Sequence, residues 1–467
     1  MLKVACPFST LYSNRGLSNV HSPYKIFTSR CKSLAEMSLL FCHSPNFDIC
    51  KKYPPIQESL DNLYASKHIF NQFSETSNSM TLVTFNSRSA LTNIRNVFSF
   101  ESLQVDLTHC QNTSNPSHDV EFINSIKNLS SCQQIQKIFE KFSCNLQYFV
   151  LRYHLVNSLE ACLENSPHSR LQKLASSLTP FGSSLTTISS LRSDIDLCID
   201  SGLNEHVLQN EKRLLNFIHS CANREGSVFY TKSKYFGARV PIIRLNHKQS
   251  MIQLDISTSN HSGLMMAEIL YFYTTFDNRL APLCHILKHI RNTFLVSKIT
   301  NYQLLSIFLF YLMSSHCPGG RLIPTFNEAQ VIVRNNSSIH LHCSSTMSEL
   351  LVGFFNFCCK TDFSDVVLNL GDGEMCPRTS SYFKASIIVI NPDEPQHNIC
   401  NNVKNSACLA STFETALEKF EENTLLTSCF NSPLQSSQTS KSTSYRFSFS
   451  NVKQSKRQRI SDLINEL

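Results

Sequence analysis

Ser193-Asp194-Ile195-Asp196-Leu197-Cys198-Ile199-Asp200 alternates apolar and polar side chains with a period of two. That is the period of a half-buried strand, so Ile195, Leu197 and Ile199 face a core while Asp194 and Asp196 project together from the other face. Two ionised carboxylates held that close repel each other, and a divalent cation between them relieves the repulsion. On a surface strand alone, such a pair is more often two solvated acids. The segment just upstream shifts the balance. Pro180-Phe181-Gly182-Ser183-Ser184 offers a glycine turn whose missing side chain and exposed backbone N–H groups let a triphosphate approach.

A third acid stands in Met251-Ile252-Gln253-Leu254-Asp255-Ile256-Ser257, again on the polar face of an alternating segment. Between the two acidic strands lie a helical-looking stretch, Gln209 to Ala222, and a strand-like one, Arg239 to Leu245. Upstream, Ile135, Ile138, Phe139, Phe142, Leu146, Phe149, Val150 and Tyr153 recur at helical spacing and predict one long amphipathic helix over Cys132 to Leu163. Three acids on adjacent strands of one sheet suit two Mg²⁺ (or Mn²⁺) ions, one activating an attacking hydroxyl and one stabilising a leaving pyrophosphate.

In this order the G-S turn, the D-x-D strand and the later strand acid resemble the nucleotidyltransferases with a DNA polymerase β-like palm. Leu280-Ala281-Pro282-Leu283 running to Leu287-Lys288, Thr300-Asn301-Tyr302-Gln303-Leu304, Glu349 to Phe355, and Asn391-Pro392 with Glu394, Asn398-Ile399, Asn402 and Val403 narrow the likeness. They resemble the terminal RNA nucleotidyltransferases with a PAP-associated domain, most nearly the mitochondrial poly(A) polymerase branch. The resemblance spans roughly Cys132 to Val403. It implies an α+β fold: a mixed-sheet palm over residues 173–260 packed on a helical central domain over 263–420, with the 132–163 helix belonging to the latter.

The resemblance also implies roles. Asp194, Asp196 and Asp255 are the catalytic metal ligands for two ions, and Gly182 and Ser183 cradle the phosphates. Asn260 contacts the ribose, Lys288 the triphosphate, and Tyr302 stacks on the base. The chemistry agrees, since an ammonium suits phosphate and an aromatic face suits any base. The implied activity is template-independent addition of AMP from ATP to an RNA 3′ end, with a terminal uridylyltransferase or a catalytically weak RNA-binding or dimerising relative as alternatives. Four positions depart from the family pattern. Ser189 and Arg192 stand where it has glycine, implying a reshaped or strained loop; Ile290 replaces a Trp, and Asp393 a Phe.

The rest of the chain bounds this reading. At ~150 residues per domain, 467 residues make about three units, and 42% hydrophobic against 16% charged residues predicts a packed core rather than a disordered chain. A net charge of +7 suits a phosphate-bearing partner such as an RNA 3′ end. The 19 cysteines are odd in number, scattered and without a C-x-x-C pair, as for reduced thiols. The longest apolar run, Leu304 to Met313, is too short to span a bilayer. Residues 1–35 hold five basic residues and no acid among many serines, the composition of a mitochondrial transit peptide, with a cytoplasmic protein as the alternative. Residues 54–128 form a weak module or linker, with Gln111 to Asp119 reading as linker, and in mitochondrial relatives a module there supports a homodimer. Residues 431–467 read as a disordered Ser-rich basic tail. His340-Leu341-His342-Cys343 lacks a fourth ligand at metal spacing and reads as a loop before a helix opened by a Thr346 to Glu349 capping box.

Overall fold

The computed structural model describes residues 23–43, 65–70, 79–85, 117–144, 146–166, 178–184, 186–190, 193–199, 211–237, 240–258, 260–295, 299–335, 337–379 and 385–426. Helix α1 (Pro23–Glu36) puts Tyr24, Phe27, Cys31 and Ala35 on one stripe, and all four are buried. Its Phe27 ring stacks on Tyr271 at 5.3 Å, and Tyr24 Oη donates to the Pro180 carbonyl at 3.1 Å. Of the segment expected as a leader over residues 1–35, residues 23–35 thus pack into a core. Residues 1–22 lie outside the described ones.

Strands β1 (Ser38–His43), β2 (Ala65–Phe70) and β3 (Ser79–Phe85) form an antiparallel sheet in the order β1-β3-β2. The sheet takes in residues well before 54, the expected start of that module. Helix α2 (Ser117–Ile126) begins inside the expected linker and packs through its Phe122 ring against Phe142.

The single helix expected over 132–163 is two, α3 (Ser131–Phe142) and α4 (Leu146–Glu164). Ser143 turns extended (φ −73, ψ 150) and forms a bridge with Ser190, while Cys144 N donates to Ser189 O at 3.3 Å. The break sends the two halves into different cores. Ile135 and Ile138 join the helical core; Phe149, Val150 and Tyr153 join the core under the large sheet. A continuous apolar period hid this, because both halves need the same stripe.

The large sheet comprises β4 (Leu178–Phe181), β5 (Ile195–Ile199), then, after α5 (Glu211–Ala222), β6 (Phe229–Tyr235), β7 (Ile242–His247) and β8 (Gln253–Thr258), in the order β4-β5-β8-β7-β6. It is mixed: β5 and β8 run parallel, and the other neighbours antiparallel. Ile195, Leu197, Ile243, Leu245, Leu254 and Ile256 bury one face against α4 and α5, leaving the acids on the other.

Helices α6 (His261–Phe276), α7 (Leu280–Phe294), α8 (Asn301–Met313), α9 (Phe326–Asn335) and α10 (Met347–Lys360) build the second core, completed by the small sheet β9 (Val366–Asn369), β10 (Glu374–Pro377) and β11 (Val389–Ile390) and by α11 (Ala407–Glu421). The run Leu304 to Met313 is the buried body of α8, with every side chain from Gln303 onward inside. Among the described residues no helix is long and apolar enough to cross a membrane. Thr346 and Glu349 form the capping box of α10, and the His340 and His342 side chains before it are exposed. The tail over 431–467 lies outside the described residues.

Candidate active site

Strand register brings the acids together. Asp196 on β5 and Asp255 on β8 are direct partners across the parallel pair, and Asp255 is in turn the partner of Arg244 on β7. Asp194, just before β5, shares their face, and its Oδ1 accepts from Gln253 Nε2 at 2.9 Å. Arg244 holds Asp255 in a fork, Nε to Oδ1 at 2.7 Å and Nη2 to Oδ2 at 2.6 Å, and lies 3.8 Å from Asp194 Oδ2. Consequently 12% of the Asp255 side chain is exposed, against 37% of that of Asp194, and Asp255 is set back from the cavity wall.

The electrostatics reflect this crowding. Desolvation, with like charge from Asp255 and Asp194, pushes the Asp196 carboxyl up to about 7. Desolvation and the Asp255 charge raise Asp194 as well. As the side chains stand, no trio of His, Cys, Asp or Glu among the described residues is gathered tightly enough to hold an ion. Both oxygens of Asp255 are taken by Arg244. The donor set still fits a hard divalent cation: three carboxylates on one sheet face, two of them with raised affinity for positive charge.

Gly182 makes the turn that meets these acids. Its φ is +64, and a Cβ there would come within 2.7 Å of Asp196 Oδ2, so any other residue would both strain the backbone and press on the acid. Ser184 Oγ accepts from Asp196 N at 2.7 Å, tying turn to strand. Gly182, Ser183, Asp194 and Asp196 line one side of a cavity of about 640 Å³. Lys288 and Tyr302 from the helical domain line the other, with Asn260 at the junction. Asn260 is also the N-cap of α6, its Oδ1 accepting from Gly263 N at 3.1 Å. Tyr302 stands on the first turn of α8, whose Thr300 and Gln303 form a capping box, and 43% of it is exposed.

Lys288 is half-buried, and its Nζ donates to the Ile188 carbonyl at 2.7 Å; desolvation takes its ammonium down to about 8. One turn earlier on α7, His285 Nε2 bonds the Thr187 carbonyl at 3.0 Å, and desolvation lowers its imidazole to about 3, so Nε2 carries the proton and donates. The strain expected at Ser189 is absent. Among the described residues only Met251 and Asn423 have positive φ outside glycine, and Ser189 is fully buried with its hydroxyl lacking a hydrogen-bond partner. Arg192 lies outside the described residues. Ile290 fills the helical core, and the backbone N–H of Asp393 donates to Asn391 Oδ1 at 3.1 Å, in a turn capped by Asn391.

Sequence reasoning assigned no role to Arg244 or His285, nor to His397 and Glu394, which line the cavity beside Tyr302. Arg244 left a signal as the charged residue on the polar face of Ile243-Arg244-Leu245, and Glu394 one in the stretch after Asn391-Pro392.

Residues 132–275 match the family model described as poly(A) RNA polymerase, mitochondrial-like, central palm domain. The mitochondrial poly(A) RNA polymerase of Drosophila melanogaster is 22% identical over 354 residues, which cover 65% of this chain and 54% of that protein. The chain spans about half the length of the curated relatives it matches. Among solved structures, mtPAP in complex with GTP superposes with a TM-score of 0.69 at 18% identity, covering 88% of this chain and 99% of that one. The Cid1 poly(U) polymerase, MgGTP-bound, superposes with a TM-score of 0.50 at 20% identity over 64% of this chain and 98% of its own. The fold is the α+β fold of polymerase β-like nucleotidyltransferases. Residues 132–275 are thus similar in sequence to mitochondrial-like poly(A) RNA polymerase central palm domains, and the chain shares the fold of mtPAP.

Proposed function

We propose that this chain is an RNA 3′-end nucleotidyltransferase that adds AMP from ATP without a template and releases pyrophosphate. The observation that carries the reading is the side-by-side register of Asp196 and Asp255 beneath the Gly182 turn, in a cavity whose far wall presents Tyr302. The turn takes the triphosphate on backbone N–H groups, assisted by Lys288, which a pKa near 8 keeps mostly protonated at neutral pH. Asn260 meets the ribose, and Tyr302 stacks on the base. Asp194, Asp196 and Asp255 would hold Mg²⁺ or Mn²⁺, which when bound supplies charge stabilisation at the transferring phosphoryl group. Arg244 keeps Asp255 oriented and offsets its charge in the meantime.

Base choice cannot come from Tyr302, because adenine and uracil both present a π-face. We assign the reading of the base edge to Glu394 and His397, polar groups that line the same cavity. Single-nucleotide extension of one RNA primer with each NTP tests the proposal. We expect ATP to be preferred over UTP by at least ~10-fold in kcat/KM, about 1.4 kcal/mol. Equal or better use of UTP would make the chain a uridylyltransferase, and no extension with any NTP would leave only an RNA-binding role.

The acid-free N-terminal composition and the mitochondrial name of the fly relative support a mitochondrial location. The full chain with a C-terminal fluorescent reporter should then enter mitochondria; a diffuse cytosolic signal would move it to the cytoplasm.

A further inference from the structure

The loop from Gly182 to Asp194 carries Ser189 and Arg192 where the family pattern has glycine, yet its described residues are tied down by hydrogen bonds. One side chain accounts for much of this. Arg152, on the middle of α4, does not line the cavity and is 3% exposed. Its Nη1 donates to the carbonyls of Ser184 and Asp194, both at 3.2 Å, and its Nη2 to those of Ser190 at 3.1 Å and Ser193 at 2.7 Å. Two of these carbonyls bracket the loop's own turn, and two belong to the residues that lead into the D-x-D strand. None of the ion pairs among the described residues includes Arg152.

A buried guanidinium bonded only to neutral carbonyls is a costly arrangement, and an apolar residue would fold more cheaply there unless the bonds themselves matter. The planar fork is what reaches four oxygens at once from one stem; an ammonium cannot. We propose that Arg152 is a positioning residue that sets the phosphate turn and the acid pair Asp194 and Asp196 in one fixed arrangement from behind the cleft. Its charge also sits behind both carboxylates and offsets part of their mutual repulsion. The turn and the acids are thus preorganised before any nucleotide arrives. His285 and Lys288 grip the same loop from α7, at Thr187 and Ile188, and Ser184 Oγ accepts from Asp196 N, while Arg152 bonds the turn and the residues leading into the D-x-D strand at once.

The inference rests on the acids being the cation site of the proposed transferase, and its test separates the two readings. Arg152→Lys keeps the charge and loses the fork. Leu159→Ala, buried on the same helix under the sheet, serves as a control of comparable destabilisation. In the full chain, Arg152→Lys should weaken Mn²⁺ binding, read from the EPR signal of free Mn²⁺, by at least ~10-fold, and should raise KM for the nucleotide more than it lowers kcat. Leu159→Ala should leave both within ~3-fold at a temperature where it is folded. Losses that track thermal stability in both variants, or normal Mn²⁺ binding in folded Arg152→Lys, would overturn the proposal. A measurement on the unmodified chain needs no variant to fold: without metal or nucleotide, amides of residues 184, 186–190 and 193 should exchange hydrogen as slowly as those of β5. Fast exchange there would overturn preorganisation. If the chain extends no RNA yet Arg152→Lys loses Mn²⁺ affinity, the positioning role stands and the polymerase reading falls.

Discussion

The two walls of the cleft are built differently. On the palm side, turn, acids and strand are crossed by short hydrogen bonds: Ser184 Oγ to Asp196 N, the Arg244 fork on Asp255, and Gln253 on Asp194. Rotating Asp255 or Asp194 breaks one of these part-buried bonds. The helical side presents a 43% exposed Tyr302 with Glu394 and His397 beside it on a segment of bends and turns. A fixed charge array against an adaptable reading surface is the division expected when the phosphates are common to all nucleotides and the base is not. Substitutions on the first wall should therefore act on rate, and those on the second on recognition.

The largest effect should come from the rigid wall. Asp194→Ala, Asp196→Ala and Asp255→Ala are each expected to lower RNA extension by at least ~10³-fold, about 4 kcal/mol, with the fold retained. Their stabilities should then diverge. The folded Asp196 carboxyl titrates near 7, well above its ordinary value of 3.8, so its ionised form burdens the fold at pH values above 7 and the burden vanishes where both states are protonated. Metal-free Asp196→Ala should melt higher than the parent at pH 8. Asp255→Ala strips Arg244 of its fork and should melt lower. If one of the three acids retained extension near the parent rate, it would leave the ligand set, and the rigid wall would be only architecture.

That wall was also the legible one. Period-two alternation around Asp194, Asp196 and Asp255 is local, and strand register does the rest, because the two acidic strands pair in parallel at matching positions. The split between α3 and α4 was not legible. An apolar stripe at helical spacing reads the same whether it packs against one core or two, and the extended Ser143 that breaks it has no proline or glycine to announce it. For the same reason residues 23–35 looked like a leader: sparse charge and serine conceal a stripe of Tyr24, Phe27, Cys31 and Ala35 whose partners lie on α4 and α6, far along the chain. Arg152 and His285 were invisible because their partners are backbone carbonyls, which no residue identity reports.

The smallest effect, and the sharpest test of the contrast, lies on the adaptable wall. Tyr302 presents its ring to the cavity from the first turn of α8, so removing the ring takes away the stacking assigned to it. Tyr302→Ala should cost about 1–3 kcal/mol, roughly 5- to 150-fold, and nearly all of it should appear in KM for the nucleotide, with kcat within ~3-fold. Tyr302→Phe keeps the face and should stay within ~3-fold in both. With 43% of Tyr302 exposed, the melting temperature of either variant should match the parent within a few degrees. A fall in kcat at constant KM would mean that the ring is held as tightly as the acids and takes part in aligning the reacting phosphate. In that case the two walls would act as one rigid unit, and base choice would have to be sought in Glu394 and His397 alone.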